Sequence, residues 1–411
     1  MKNAETSLPS GKPLHKHLLF ILQLLYPLLF LFPLLPLKAA NIILILFIAG
    51  VLGVIIFYRE PGFLPSLKAN FFFILPFLPY LIEFIIFPQN SIARFALEKK
   101  LLLFIGPVIF PFFLAVSKKA RQKTPLMVFT SAMLAISLYT LATLLFDGTL
   151  TGMNSYMNEA FILRTRFEAV SHLHPTYYSM FCVTAIMFLP TLFPSNSWPA
   201  KICGMLLILL LVIGVVVVAS KSGLVILIIC PVIYIARLHS KITRKVFLLS
   251  ALIICGLILF MTFPSLKARL ESILFPVKTE SGSRTLNQRV IIFDCSVKTF
   301  SDHFFFGTGN RNSQAMLDKC YSTTKNKNLT VDTYNTHNQY LTIGINYGVV
   351  ILLLFLFSLL KAGRYIIRNP SGLYFLISVL VVFLTETVLE CQMGVYFFSL
   401  FTTYFYTVNK K

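Results

Sequence analysis

Apolar runs of about 18 residues or more recur from one end of this chain to the other, each long enough to cross roughly 30 Å of hydrocarbon. That pattern excludes most soluble architectures at once. Of 411 residues, 57% are apolar and 12% charged, about half the charge of an ordinary soluble domain. No soluble domain remains once the runs are marked. In lipid every backbone donor and acceptor must be satisfied within the protein, so the runs are read as helices. The spacing predicts spans at 17–37, 40–58, 70–88, 100–117, 125–146, 175–193, 200–219, 221–237, 246–264, 340–360, 371–389 and 392–408. The first run is too long and too Pro-rich for a cleaved signal peptide and is read as the first span. The expected fold is an all-α polytopic membrane protein with about 12 transmembrane helices. It divides into an N-terminal bundle over 1–264, a long polar loop over 265–339 and a C-terminal bundle over 340–411.

The net charge of +21 does not point to nucleic acid. Lys and Arg sit in short clusters between apolar runs, and such clusters orient a membrane protein. Nineteen of the 36 fall on the side that holds both termini and the loops 59–69, 118–124, 194–201, 237–245 and 361–370. The short connections of the other side hold seven, and the remaining ten lie in the long loop, which long-loop translocation leaves out of the comparison. Both termini are therefore expected in the cytoplasm. The long loop faces outward, to the periplasm in a bacterium, which places the chain in the inner membrane.

Within that loop Leu286, Val290, Phe293, Val297 and Phe300 recur at helical spacing and predict an amphipathic helix lying on the bundle or on the membrane surface. A turn follows at Gly307, Thr308, Gly309 and Asn310. Cys295 and Cys320 flank it and are placed where oxidation can join them, though spacing alone does not show that they meet.

The polar residues at or beside span ends gather on one face. They are Arg164, Arg166, His172, His174, Lys221, Arg284, Arg289, His337, Asn338, Glu386 and Glu390. Ionisable groups in such places cost about 2.5–3.5 kcal/mol on insertion scales and mark function. A basic cluster with few acids suits an anionic ligand, and phosphate above all, because Arg forks its oxygens and Lys adds a point charge. The fifteen acids are scattered, with no two Asp adjacent or one residue apart. The carboxylate pair that holds a metal with a nucleotide is missing, and so are a phosphate-loop motif and Cys/His metal spacing. Neither metal nor cofactor is expected. Histidine takes and gives protons near neutral pH. His337, in Tyr-Asn-Thr-His-Asn-Gln-Tyr at the head of span ten, is the candidate base, with an interfacial anchor as the alternative.

Together these residues resemble a family. Arg289 on the loop helix, then Phe-Gly-Thr-Gly-Asn, then Thr-His-Asn-Gln-Tyr-Leu entering a span with Gly348, is similar to the O-antigen ligase and polymerase-type superfamily. The likeness runs over about 160–400 and includes His174-Pro-Thr-Tyr, Ser220-Lys221-Ser-Gly, and Glu386 to Glu390-Cys-Gln392-Met-Gly394. It implies a metal-independent, inverting glycosyltransferase at the periplasmic face. The donor would be a glycan on undecaprenyl diphosphate and the acceptor a lipid A-core sugar, or a second lipid-linked glycan in a polymerase. His337 falls at the family's proposed catalytic histidine and Arg289 at its diphosphate-binding arginine. Lys221 stands where ligases commonly carry arginine, which loses the fork and keeps the charge. Arg284 and Arg166 are further candidates for the diphosphate. Asn338 and Gln339 are read as orienting sugar hydroxyls or as capping a helix. His174 is a further substrate-side candidate, and Glu386 and Glu390, four apart, are read as one helical face pairing with the basic cluster. A lipid-linked-glycan flippase is the rival from another class. It would carry repeats and midplane polar groups, and neither is evident.

Reporter fusions at Lys123 and Pro370 are expected to read cytoplasmic and one at Lys325 periplasmic. A periplasmic signal at Lys123 would invert the map.

Overall fold

The computed structural model describes residues 13–58, 63–117, 122–150, 157–193, 197–263, 266, 284–323 and 334–410. Every regular element among them is helical. In chain order they are α1 (Pro13–Leu28), α2 (Leu37–Tyr58), α3 (Phe63–Asn70), α4 (Leu78–Ile86), α5 (Ser91–Val116), α6 (Thr124–Phe146), α7 (Met157–Ser171) and α8 (Pro175–Leu192). Then come α9 (Trp198–Val218), α10 (Lys221–Arg237), α11 (Ile242–Thr262), α12 (Arg284–Asp302), α13 (Asn310–Ser322), α14 (Gln339–Ile366), α15 (Pro370–Phe383) and α16 (Gln392–Asn409).

Six of these helices, α2, α5, α6, α9, α11 and α14, are long and apolar enough to cross a membrane, and the bent pair around α3 and α4 makes seven if it is one span. The predicted span 70–88 is that pair, broken by two 3-10 turns and bent by 59°. Pro76 and Pro79 enter where it breaks, each removing a backbone donor. Helix α8 is sheathed on all sides: every side chain from Pro175 to Leu189 is buried, against α6, α9, α10 and α15. Close approach there depends on glycine. A Cβ on Gly223 of α10 would meet the Ser179 Cβ of α8 at 2.3 Å. Helix α16 is likewise buried from Gly394 to Tyr406 and packs chiefly on α5.

The segment between α11 and α14 docks on the bundle through the backbone. Helix α14 is interrupted at Gly348, whose φ of +77° and ψ of −179° are not helical. The loop supplies partners at that interruption. Thr308 N–H donates to Ile345 O (2.8 Å), Gly309 N–H to Asn346 O (2.9 Å), and Val349 N–H to Phe304 O (2.8 Å). No side chain fits at Gly348, since a Cβ would press on the Phe305 carbonyl. Glu83, buried on α4, caps α13 from outside: its carboxylate accepts from Asn310 N–H (3.1 Å), Arg311 N–H (3.0 Å) and the Tyr347 hydroxyl (2.6 Å). These bonds satisfy orphan donors of a helix N-terminus with a charge that favours that end.

The structure refines one expectation from sequence and corrects another. The loop helix exists as α12, but its packed face is Ile292, Cys295, Ser296 and Thr299, while Val290, Phe293 and Val297 are exposed. Val290, Phe293 and Val297 of the apolar stripe therefore point away from the bundle, while Phe300, at its end, packs toward Gly344 of α14. The side chains of Leu286 and Arg284 lie outside the described residues. The helix expected over 371–389 ends at Phe383, so Glu386 and Glu390 do not share one helical face. Glu386 sits in a turn and Glu390 in a short 3-10 helix, Val388–Glu390.

Cys295 and Cys320 form a disulfide with Cα atoms 5.7 Å apart, tying α12 to α13. Peptide mapping of protein from an oxidising compartment should find both thiols blocked until reduction. Free labelling of either without reductant would mean that packing alone holds the two helices.

Candidate functional site

The site is built where the heads of α8, α10 and α14 meet the turn after α15. Three non-glycine residues among the described ones have positive φ, and each lies at or beside a side chain selected from the sequence. His172 (φ +55°) is two residues before His174, Ala219 (φ +46°) two before Lys221, and the third is His337 itself (φ +46°). Such conformations carry strain and persist where surroundings fix them.

Around His337 the fixing contacts are local. Its N–H donates to Asn335 Oδ1 (2.9 Å), and the Thr336 hydroxyl reaches Asn338 O (2.9 Å) and the Thr342 hydroxyl (2.6 Å). Asn338 caps α14, its Oδ1 accepting from Leu341 N–H (3.0 Å) while its Nδ2 donates to Leu384 O (3.3 Å). Gln339 is fully buried, and its Oε1 accepts from Leu389 N–H at 2.7 Å. Both amides thus fasten the turn after α15 to the head of α14.

That turn delivers Glu386, whose Oε1 lies 3.2 Å from His337 Nδ1. A carboxylate accepts, so the Nδ1 carries the hydrogen, and in the neutral ring the lone pair then belongs to Nε2. Burial pushes the Glu386 carboxyl up, but the His337 hydrogen bond and the charges of His337, His174 and Arg289 outweigh it and hold it below the usual carboxylate value. Burial pushes His174 down, with Arg164 and His337 adding to that and Glu386 and Glu168 opposing it. Its Nδ1 accepts weakly from Thr176 N–H (3.4 Å), capping α8. Arg164 of α7 is lowered by burial and by Arg289, against the pull of Glu168 and Glu386. One electrostatic neighbourhood therefore holds His337, Glu386, His174, Glu168, Arg164 and Arg289.

Lys221 opens α10 behind the left-handed Ala219 and is half-buried. Its helix meets the first turns of α8 at Gly223 and Ser179, the same end of α8 that His174 caps. Arg289 is exposed on α12.

Two candidates lie elsewhere. Arg166 pairs with Asp147 at 3.1 Å, on the exposed side of α7. Glu390 pairs with Lys100 of α5 at 2.6 Å, and Lys100 is fully buried with its ammonium 4.4 Å from the Tyr80 ring centroid. Glu390 therefore meets a lysine from the body of the bundle instead of the outer basic cluster.

Residues 206–356 match the O-antigen ligase family model. The match supports the O-antigen ligase and polymerase superfamily that the motifs resemble, and with the apolar helices it describes a multi-pass membrane protein of bacterial type. No curated protein matches the chain. The O-antigen ligase match contains Lys221, Arg289, His337 and the break at Gly348. Arg164, His174 and Glu386 lie outside it.

Sequence reasoning missed helix α7 and with it the placement of Arg164 and Glu168. Leu163 and Phe167, one turn apart and both buried, carry the signal that could have found it.

The folded Glu386 value lies below the unfolded one, which is about 4.3 for a Glu side chain. Its contribution to stability is present above that pH and is lost as pH falls through the lower folded value. Thermal unfolding of wild type and Glu386→Gln in detergent should give a Tm difference that shifts against wild type as pH falls from about 5 to below about 4. A difference independent of pH across that window would deny the pairing.

Proposed function

We propose that this protein is an O-antigen ligase-like glycosyltransferase, moving a glycan from undecaprenyl diphosphate to a lipid A-core sugar with inversion. The reading takes the twelve-span topology with both termini cytoplasmic, so that His337 and the loop face the periplasm. The observation that carries it is the His337–Glu386 pair. A carboxylate on Nδ1 fixes the tautomer and orientation of the ring and leaves Nε2 as a base, the logic of acid–histidine pairs in acyl transfer. The matched family model supports the ligase and polymerase type of function alike, and a polymerase, with a second lipid-linked glycan as acceptor, is the alternative.

In the proposed reaction His337 Nε2 takes the proton from an acceptor hydroxyl. The oxygen attacks the anomeric carbon, and the bond from that carbon to the diphosphate oxygen breaks with its electron pair. Arg289 and Lys221, with Arg164 beside them, bind the diphosphate and stabilise its growing charge. Arg166 is already paired, so Arg164 takes the place that sequence alone gave to Arg166. Glu386 is a positioning residue: it holds the ring and stabilises the imidazolium. His174, whose burial favours the uncharged ring, borders the same space.

The test is transfer from undecaprenyl-diphosphate-linked glycan to lipid A-core, with folding and insertion checked in parallel. His337→Ala should lower the rate by about 10²–10⁴-fold, the usual contribution of a positioned base. Arg289→Ala should weaken donor binding as well as turnover, and Arg289→Lys should recover part of it because the fork is gone. Lys221→Arg should be tolerated. Wild-type transfer by His337→Ala would leave the histidine a helix-head anchor and remove the reading.

A further inference from the structure

The outward face of α12 raises a separate question, because the bundle does not cover it. Its exposed half is itself divided lengthwise. Val290, Phe293 and Val297 form one strip, and Asp294, Lys298 and Asp302 form the strip beside it, all exposed. A helix facing only water has no use for the first strip, and a helix facing a protein partner would rarely set three charges along the second. An apolar strip bordered by charge is the pattern of a helix lying in a lipid–water interface.

The aromatic run after α12 fixes the depth. Phe304, Phe305 and Phe306 are all exposed, and Phe306 is 90% so. Phe304 O accepts from Val349 N–H, and the Phe305 carbonyl sits where a Cβ of Gly348 would be. Gly348 lies nine residues into α14, about 14 Å along the helix from Gln339 at 1.5 Å per residue. From there on the outer face of α14 is Val350, Leu353, Phe357 and Leu360, all exposed and belonging to a helix apolar enough to cross a membrane. The three Phe are thus strapped by backbone bonds to the level at which the lipid-facing surface of α14 begins, and they continue it.

We propose that the 304–306 tip and the Val290–Phe293–Val297 strip form a wedge embedded in the bilayer leaflet on the His337 side, contacting acyl chains. The charged strip faces the head groups, and α12 slopes from the interface at Arg289 down to the aromatic tip. The bilayer thereby becomes the third support of α12, after α14 and the Cys295–Cys320 bond.

The experiment uses the single tryptophan of the chain, Trp198. In a Trp198→Phe background, Phe306→Trp places a reporter at the tip and exchanges one exposed ring for another, so folding is not at risk. Phe293→Trp reads the strip. The full-length protein is reconstituted in phosphatidylcholine vesicles with or without bromine on the acyl chains, and iodide is supplied on both faces. Loss of most of the tip reporter's emission in brominated vesicles, with iodide having little effect, is the expected result. The strip reporter should be quenched by the acyl bromines to a smaller extent. Iodide quenching of the tip reporter as strong as for free tryptophan amide would overturn the wedge. So would protection from both quenchers, which would mean that protein, such as a second copy of the chain, covers the tip.

Discussion

A polypeptide inside hydrocarbon must not leave backbone N–H and C=O groups bare, and α14 breaks that condition at Gly348 unless something answers it. The answer comes from residues 304–309, whose three backbone bonds to Ile345, Asn346 and Val349 fill the interruption. The connection is reciprocal. The loop could not lie at that depth without the unpaired groups of α14, and α14 could not break without the loop. Because the strap follows directly on α12, the position of Arg289 is inherited from it. The Glu83 cap on α13 and the Cys295–Cys320 bond fasten the same segment at two more points.

His337, the proposed base, and its carboxylate partner are brought together by parts of the chain that are rigid for other reasons. Asn338 and Gln339 hold the turn after α15 through Leu384 and Leu389, and Glu386 lies between those two anchors. The left-handed backbone at His337 is imposed by the Asn335 and Thr336 hydrogen bonds. The arrangement holds the histidine–carboxylate distance without asking the pair itself to supply the fixing energy, which suits a group whose charge changes in the proposed reaction.

Much of this is legible in the sequence, and for physical reasons. Hydrocarbon thickness sets the length of a span, so the all-helical architecture follows from the apolar runs. The head of α14 follows from Thr-His-Asn-Gln, whose short polar side chains are the ones that cap and turn a backbone. The disulfide stays open to sequence because only distance decides it. The facing of α12 is hidden because periodicity reports which residues share a face and is silent on whether protein or lipid receives it. Glu83 and Lys100 do not stand out as structural charges because their partners, Asn310 and Glu390, lie 227 and 290 residues along the chain. Short-range patterning carries no trace of such pairings. Sequence gives Arg166 preference over Arg164, yet two residues on a helix point to nearly opposite sides, and the Asp147 carboxylate captures the outer one.

The Lys100–Glu390 pair has a consequence for the way the protein comes into being. A lysine ten residues into α5 enters the membrane while about three quarters of the chain has yet to be made. Its carboxylate arrives only with the segment before α16, which then packs along α5. A chain that ended before residue 390 would leave the buried Lys100 ammonium with the Tyr80 ring and without its carboxylate.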